Sequence, residues 1–247
     1  MLKRKEKPKV FDCQSNIALI IEALDKLKEL SNEMVFVGGC TIALYIDDIS
    51  SIKSDIRPTT DVDVIIEVAT KFDWHLLERK LMSLGFSQSL NVADDPICRW
   101  RNGTLILDVM PFDETVLGFS NRWYKEGFAQ RRTQVVEGRN IFVLPAPILL
   151  CTKVEAYKNR GKGSLNYSKD AEDIAALLCG RENLISEIGA ASTGVRDFLR
   201  SDLLPIIRGE LFDEVIAALI PQDRKYSERV LNAVSLKMKI VDSLRVV

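Results

Sequence analysis

Two aspartates stand two positions apart inside an otherwise apolar run, Asp61-Val62-Asp63-Val64-Ile65-Ile66. Residues two apart in a β-strand point to the same face, so a strand here would carry both carboxylates side by side. Neighbouring carboxylates repel each other and resist desolvation unless a cation compensates them, and Mg²⁺ is a hard cation that prefers oxygen ligands. Acids that face water at the end of a strand would explain the same pair, so these two residues alone leave both interpretations open.

A third aspartate, Asp108, lies within a second apolar run at residues 105–110. If the two runs form neighbouring strands, Asp108 completes a cluster with Asp61 and Asp63, which we call the carboxylate triad. Three converging carboxylates can hold two metal ions around an in-line phosphoryl displacement, where the ions activate the attacking oxygen and neutralise the leaving pyrophosphate. The triad therefore indicates metal-dependent transfer of a phosphoryl-containing group.

A pair of glycines, Gly38 and Gly39, follows a predicted strand at 34–37 and precedes a predicted helix at 40–46. A strand, a glycine turn and a helix together present free backbone N–H groups to a phosphate at the helix N-terminus. Two glycines alone are usually only a turn. Their order before a loop and the Asp61-Val62-Asp63 strand is a more specific pattern, and it favours a nucleotide site.

The composition is that of an ordinary soluble globular protein, with 47% apolar and 28% charged residues and a formal net charge of −1 over 247 residues. This balance gives no global attraction to nucleic acid or to a membrane, and no apolar run approaches the ~20 residues that span a bilayer. We expect a cytoplasmic protein without a membrane partner. The five cysteines are scattered and His75 is the single histidine, which argues against structural zinc and against histidine-based catalysis.

Hydrophobic periodicity predicts an α+β region followed by helices alone. A first helix is predicted at 17–30, with Ser15 or Asn16 as its N-terminal cap. Further strands are predicted at 61–68, 97–101, 104–110 and 141–144, with a helix at 72–84 and a hairpin turn at Asn102-Gly103. Helices are then predicted at 148–160, 169–179, 183–190, 194–201, 209–219 and 224–243. The chain thus divides into a basic tail (1–15), an α+β core (16–145) and a helical C-terminal domain (146–247).

Two sets of residues resemble a known family. Val37-Gly38-Gly39 with Arg57-Pro58-Thr59-Thr60-Asp61-Val62-Asp63 resembles the signature of DNA polymerase β-type nucleotidyltransferases. The later residues are similar to the AbiEii-type branch, which are toxin-like nucleotidyltransferases of bacterial toxin–antitoxin systems; these residues are Pro147, Lys153, Ala156, Arg160 and the run 169–174. The resemblance covers roughly residues 34–178. It implies a nucleotidyltransferase core with a mixed β-sheet flanked by helices, followed by an all-helical C-terminal domain.

The resemblance also implies roles for individual residues. Asp61, Asp63 and Asp108 would be the metal ligands and the catalytic residues, with Asp108 helping to deprotonate the attacking hydroxyl. The metal would be Mg²⁺, two ions per site, with Mn²⁺ as the alternative ion, and a nucleoside triphosphate (NTP) would be the substrate. The implied nucleotide-binding residues are Gly38, Gly39, Thr41, Arg57, Lys153, Arg160, Asp170 and Asp173.

Several of these nucleotide-binding residues have simpler alternatives. Many relatives have serine where this chain has Gly39, so Thr41 would have to replace that hydroxyl. Arg57 would equally suit an ion pair that steadies an acidic loop, and Lys153 a surface position on a helix, where its replacement should leave the fold intact. Asp170 and Asp173 either complement the dipole of a helix N-terminus or orient Lys153.

The implied acceptor is RNA, above all a tRNA end, and a cognate antitoxin would be a protein partner. Two alternatives stay open: a nucleotidyltransferase for small molecules, as in antibiotic modification, and a catalytically silent module that binds a nucleotide or a partner. RNA needs local positive charge because the net charge is near zero. The residues predicted to supply it, and to line one cleft with the site, are Arg122, Lys125, Arg131, Arg132, Arg139, Lys158, Arg160 and Lys162.

Overall fold

A computed structural model of the chain describes residues 13–47, 59–89, 95–160, 165 and 168–246. Residues 1–12 of the predicted basic tail lie outside this range, as do Arg57 and Lys162. The fold of the described part is α+β, as predicted. A mixed β-sheet with flanking helices is followed by helices alone.

Six strands form one sheet. In chain order they are β1 (Met34–Val37), β2 (Asp61–Ile66), β3 (Arg99–Asn102), β4 (Leu105–Pro111), β5 (Arg132–Val136) and β6 (Arg139–Val143). Their order across the sheet is β3-β4-β2-β1-β6-β5. β2 runs parallel to β4 and antiparallel to β1, and β1 runs parallel to β6. The strand that carries two of the triad residues therefore lies inside the sheet, directly beside the strand that carries the third.

The longer helices around and after the sheet follow the predicted pattern, whereas three short ones, Glu114–Leu117, Tyr124–Ala129 and Leu204–Ile207, were not predicted. In the core they are α1 (Cys13–Leu27), α2 (Lys71–Ser83), α3 (Glu114–Leu117) and α4 (Tyr124–Ala129), with 3₁₀ helices at Lys28–Glu33 and Gly39–Tyr45. The C-terminal helices are α5 (Ala146–Asn159), α6 (Lys169–Gly180), α7 (Leu184–Ala190), α8 (Thr193–Phe198), α9 (Leu204–Ile207), α10 (Glu210–Leu219) and α11 (Tyr226–Val246). A π-helical turn, Leu199–Leu203, joins α8 to α9. None of the helices in the described ranges is both long and apolar enough to cross a membrane.

The predicted cap of the first helix is wrong. Helix α1 begins at Cys13, so Ser15 and Asn16 lie inside its first turn. Asn16 is instead fully buried, and its side-chain oxygen accepts a hydrogen bond from the backbone N–H of Thr59 at 3.1 Å. This bond ties α1 to the residues that lead into β2.

The hairpin between β3 and β4 is confirmed, but its turn is one residue later than predicted. Asn102 pairs with Leu105, so the loop is Gly103-Thr104 rather than Asn102-Gly103. Gly103 has a φ of 61°, a left-handed conformation that glycine adopts without strain. The shift changes which residues of β3 lie opposite Asp108, with consequences for the site.

The sequence did not indicate strand β5. It is an edge strand, and most of its side chains are exposed, so it lacks the apolar alternation by which a half-buried strand is recognised. It pairs with β6 through a tight turn in which Glu137 and Gly138 both have positive φ. The basic residues between 122 and 139 therefore lie in or beside helix α4 and strands β5 and β6.

The core packs on both sides of the central strands. Val62 and Val64 of β2 are fully buried, whereas Asp61 and Asp63, which alternate with them, are only partly buried. Pro145 precedes α5 as its N-terminal cap, at the predicted boundary between the core and the helical domain. Helices α5 and α6 pack against each other and contribute side chains to the cavity above the triad.

Candidate active site

The carboxylate triad lies in one cavity. Asp63 and Asp108 are register partners on the parallel strands β2 and β4, and Asp61 precedes Asp63 by two residues on the same face. The cavity has a volume of about 560 Å³. Of the residues predicted to form the site, those that border it are Gly39, Asp61, Asp63, Asp108, Lys153, Arg160, Asp170 and Asp173.

The glycine turn packs directly against Asp63 of the triad. Gly38 has a φ of 77° and a ψ of −164°, a combination that is open essentially only to glycine. A Cβ atom at Gly38 would lie 1.9 Å from Oδ2 of Asp63, so the missing side chain is what allows Asp63 its position. Thr41 does not reach the cavity: it is fully buried, and its hydroxyl donates to the carbonyl of Gly38 at 3.0 Å. Its observed role is to fix the turn.

The environment of Asp63 disfavours the charged form of its carboxyl group. Burial raises the pKa of its carboxyl group to about 7, and the nearby charges of Asp61 and Asp108 raise it further, against the opposing effect of Lys153. Burial and the two neighbouring carboxylates therefore both disfavour the charged form of Asp63.

Arg99, which the sequence did not single out, binds two members of the triad. It is the register partner of Asp108 on β3. Its Nε and Nη2 donate to the two oxygens of Asp108 at 2.8 and 2.7 Å, and Nη2 also donates to Oδ2 of Asp61 at 3.0 Å. These bonds raise the pKa of Arg99 above its usual value, chiefly through the hydrogen bonds to Asp108. A second unforeseen contact comes from Thr59, whose hydroxyl donates to Oδ1 of Asp61 at 2.6 Å.

On the opposite side of the cavity, Lys153 is held by two acids. Its ammonium lies 2.6 Å from Oδ2 of Asp173 and 3.9 Å from Oδ1 of Asp170, and all three side chains are at most 10% exposed. Burial alone would lower the pKa of Lys153, but Asp173 and Asp170 outweigh it and raise the pKa. Arg160 approaches Asp170 from the cavity at 3.2 Å. Lys153 is therefore not a surface lysine.

This arrangement bears on the two interpretations of Asp170 and Asp173. The N-terminal cap of helix α6 is Ser168, whose hydroxyl accepts from the backbone N–H of Ala171. The helix terminus is thus capped without the aspartates. Their contacts with Lys153 favour the interpretation that they orient this lysine.

The chemistry of the triad fits a hard divalent cation, although its present geometry does not. Carboxylate oxygens are the ligands that Mg²⁺ and Mn²⁺ prefer, and a cation beside the buried carboxyl group of Asp63 would favour its charged form. Yet within the described ranges no three His, Cys, Asp or Glu side chains are placed to hold a metal ion together. Asp61 and Asp108 are instead bound to the guanidinium of Arg99.

The predicted basic patch does not line this cavity. Of its described members, Arg160 alone borders the cavity. Five of the others make contacts elsewhere: Arg122 pairs with Glu155, Arg132 with Glu187, Arg139 with Asp25 and Lys158 with Asp202, while Arg131 stacks on Phe128 and Phe142. The prediction of one continuous cleft is wrong for these residues, because none of them borders the cavity.

Gly38→Ala should lower the free energy of unfolding by about 2 kcal/mol or more, since alanine is strained at this φ and ψ. Its methyl group would also displace the carboxylate of Asp63, so nucleotide binding should fall. The measurements are urea unfolding and titration with an NTP. Gly138→Ala is the matched control for positive φ, because Gly138 has a φ of 78° and no atom within 4 Å of the added Cβ. Equal losses of stability and of NTP affinity in the two variants would mean that the contact with Asp63 is unimportant.

Comparisons with known proteins give fold neighbours only. No protein-family model matches the sequence, and no curated protein matches it. Among solved structures, an antigenic nucleotidyltransferase-like protein from Paracoccidioides brasiliensis is 18% identical, with a TM-score of 0.49 over 85% of this chain and 95% of that one. JHP933 from Helicobacter pylori is 14% identical, with a TM-score of 0.47 over 94% and 93%. At these values the likeness carries no conclusion about activity, and it does not test the AbiEii-type resemblance.

Proposed function

We propose that the protein is a metal-dependent nucleotidyltransferase, which transfers a nucleoside monophosphate from an NTP to a hydroxyl group. The observation that carries this proposal is the meeting of three carboxylates from β2 and β4 with Gly39 and Lys153 in one cavity. Its volume of about 560 Å³ suits one small-molecule ligand, for which pockets of roughly 300–1,000 Å³ are usual.

In this reaction the oxygen of the acceptor hydroxyl bonds to the α-phosphorus of the NTP. The bond from that phosphorus to the pyrophosphate oxygen breaks, and pyrophosphate leaves with its electron pair. The proton of the hydroxyl passes to Asp108, to which the resemblance assigns that role. Asp61, Asp63 and Asp108 would hold the divalent cations, which supply positive charge to the phosphates and the reacting oxygens.

The residues around the triad suit the remaining parts of an NTP. The backbone at Gly39 begins a 3₁₀ helix and borders the cavity, where it can meet a phosphate. Arg160 borders the cavity with a side chain that is 71% exposed, so it can turn towards a phosphate. One wall carries Phe119 and Tyr124, and the ring of Phe119, which is 41% exposed, offers a face on which a base can stack.

For the acceptor, we propose a small hydroxyl compound ahead of RNA. The argument for RNA depended on a basic patch beside the site. Four residues of that patch pair instead with acids on other elements, namely Arg122, Arg132, Arg139 and Lys158. An RNA acceptor, a tRNA end above all, with a toxin-like role and a cognate antitoxin, is the alternative that the family resemblance supports. The third candidate is a catalytically silent module, and the observation that supports it is the contact of Arg99 with two of the triad carboxylates.

The three candidates differ in where a label goes. The protein is incubated with Mg²⁺ or Mn²⁺ and each α-labelled NTP, together with either total RNA or a pool of small hydroxyl compounds that includes aminoglycosides. We expect label in the small-compound fraction, released pyrophosphate, and neither product with Asp61→Asn. Label in RNA, with an affinity that falls steeply as salt rises, would favour the RNA candidate. NTP binding without any transfer would leave the silent module.

A further inference from the structure

Every carboxylate oxygen of Asp61 and Asp108 accepts a hydrogen bond from a protein donor. Arg99 donates to both oxygens of Asp108 and to Oδ2 of Asp61. The hydroxyl of Thr59 donates to Oδ1 of Asp61. Charge-assisted bonds of this bidentate kind are among the strongest that a protein forms. A cation that approaches these oxygens therefore meets donors that already hold them.

We propose that Arg99 competes with a divalent cation for Asp61 and Asp108, so that the guanidinium is an internal cation that keeps the site closed until metal displaces it. The inference rests on the proposed function, because it assumes that the triad binds metal. A carboxylate offers about four lone-pair sites, and the guanidinium of Arg99 occupies two of those of Asp108. Its positive charge also repels a divalent cation from the sites that remain. The bidentate contact with Asp108 and metal ligation by Asp108 therefore oppose each other.

Asp95 gives the displaced guanidinium a second partner. Nη1 of Arg99 already lies 3.8 Å from Oδ1 of Asp95. Asp95 is held in place by Arg101, which donates to its two oxygens at 3.1 and 2.9 Å. The side chain of Arg99 is 21% exposed and borders the cavity, so it can turn from Asp108 towards Asp95 without leaving a hole in the core. The two positions differ in which acid the arginine neutralises.

The direct test measures the affinity for Mn²⁺ by calorimetry and by electron paramagnetic resonance, without any substrate. Arg99→Met keeps the bulk of the side chain and removes its charge. We expect this variant to bind Mn²⁺ at least about tenfold more tightly than the wild type, because a competing charge-assisted contact is gone. Arg139→Met is the matched control, since Arg139 pairs with Asp25 away from the cavity, and it should bind Mn²⁺ as the wild type does.

Removing Asp95 tests the second position of the arginine. Asp95→Asn should weaken Mn²⁺ binding in the wild-type background, because Arg99 loses the partner that draws it off Asp108. In the Arg99→Met background the same substitution should have little effect. Such a double-mutant cycle separates action through Arg99 from a direct effect of charge. An equal loss of Mn²⁺ affinity in both backgrounds would overturn the role of Asp95 as a second partner of Arg99.

The outcomes separate this inference from the proposed function. If Arg99→Met binds Mn²⁺ no more tightly than the wild type, while the wild type binds metal and transfers nucleotide, the competition is refuted and the proposed function stands. If neither protein binds Mn²⁺, the triad is not a metal site and both proposals fall. If Arg99→Met binds Mn²⁺ more tightly than the wild type and Arg139→Met does not, the competition is supported, whatever acceptor the enzyme uses.

Discussion

Asp63→Asn is expected to reduce nucleotidyl transfer by about a thousandfold or more, the size of effect that several kcal/mol of lost charge stabilisation produces. Asp63 lies between its register partner Asp108 and the glycine turn, where its carboxylate would hold a divalent cation. Asparagine keeps the shape of the side chain and loses the charge. The measurement is the initial rate of pyrophosphate release at saturating NTP. Full activity in this variant would refute the assignment of the triad.

The same substitution should stabilise the fold in the absence of metal, and the effect should depend on pH. The pKa of Asp63 is about 7 in the folded chain against 3.8 for a free carboxyl group. Between these values the folded state keeps a proton that the unfolded state has released, so the free energy of unfolding of the wild type falls as the pH rises. We expect Asp63→Asn to unfold at higher urea than the wild type above pH 7, and the difference to vanish below pH 3.8. An advantage that persists at low pH would contradict this explanation.

Lys153→Met is expected to lower the free energy of unfolding by about 3–5 kcal/mol, because it removes the cation that pairs with the buried carboxylate of Asp173. Asp170 and Asp173 are each 5% exposed at the side chain, and Lys153 is the cation nearest to Asp173. The expectation from sequence alone was that Lys153 could be replaced without effect on the fold. Burial changes that expectation, since a charged group cannot be removed from an ion pair in the interior without cost to its partner.

Two further variants check the Lys153 result by urea unfolding. Lys158→Met, on the same helix α5, removes a cation that is 48% exposed, and it should change the stability by about 1 kcal/mol or less. Adding Asp173→Asn to Lys153→Met should recover part of the loss, because the stranded negative charge is removed as well. If the double variant is less stable than Lys153→Met alone, the loss comes from packing rather than from charge.

The sequence predicted the triad because strand geometry is regular. Alternation within β2 places Asp61 and Asp63 on one face, and an apolar run around Asp108 indicates another buried strand. Which strands are neighbours did not follow from the pattern. That β2 lies beside β4 was an assumption, and the parallel direction of the pair was not predicted. The fold class followed from the change of periodicity near Pro147, which does not depend on any single residue.

Arg99 was missed for a reason of register. A turn at Asn102-Gly103 would place Ile97 opposite Asp108, an apolar neighbour that suggests nothing. The observed turn at Gly103-Thr104 moves the pairing by two residues and places Arg99 there. An error of one residue in a turn thus changed the chemistry assigned to the site, because the position of the turn sets the pairing register of both strands of a hairpin.

Charge pairing was the other feature that the sequence did not reveal. The basic residues between 122 and 139 are close in the chain, which indicated a common surface. In the structure Arg139 pairs with Asp25, which is 114 residues away in the sequence, and Arg132 pairs with Glu187. Local composition counts cations but does not show which distant acids neutralise them.

The cavity takes its side chains from both sides of Pro145. The sheet supplies the triad, and helices α5 and α6 supply Lys153, Asp170 and Asp173. Recombination that exchanged the helical part for that of a distant relative would therefore replace half of the site together with it. The two parts of the chain are coupled electrostatically at the site, because Asp63 and Lys153 each shift the pKa of the other.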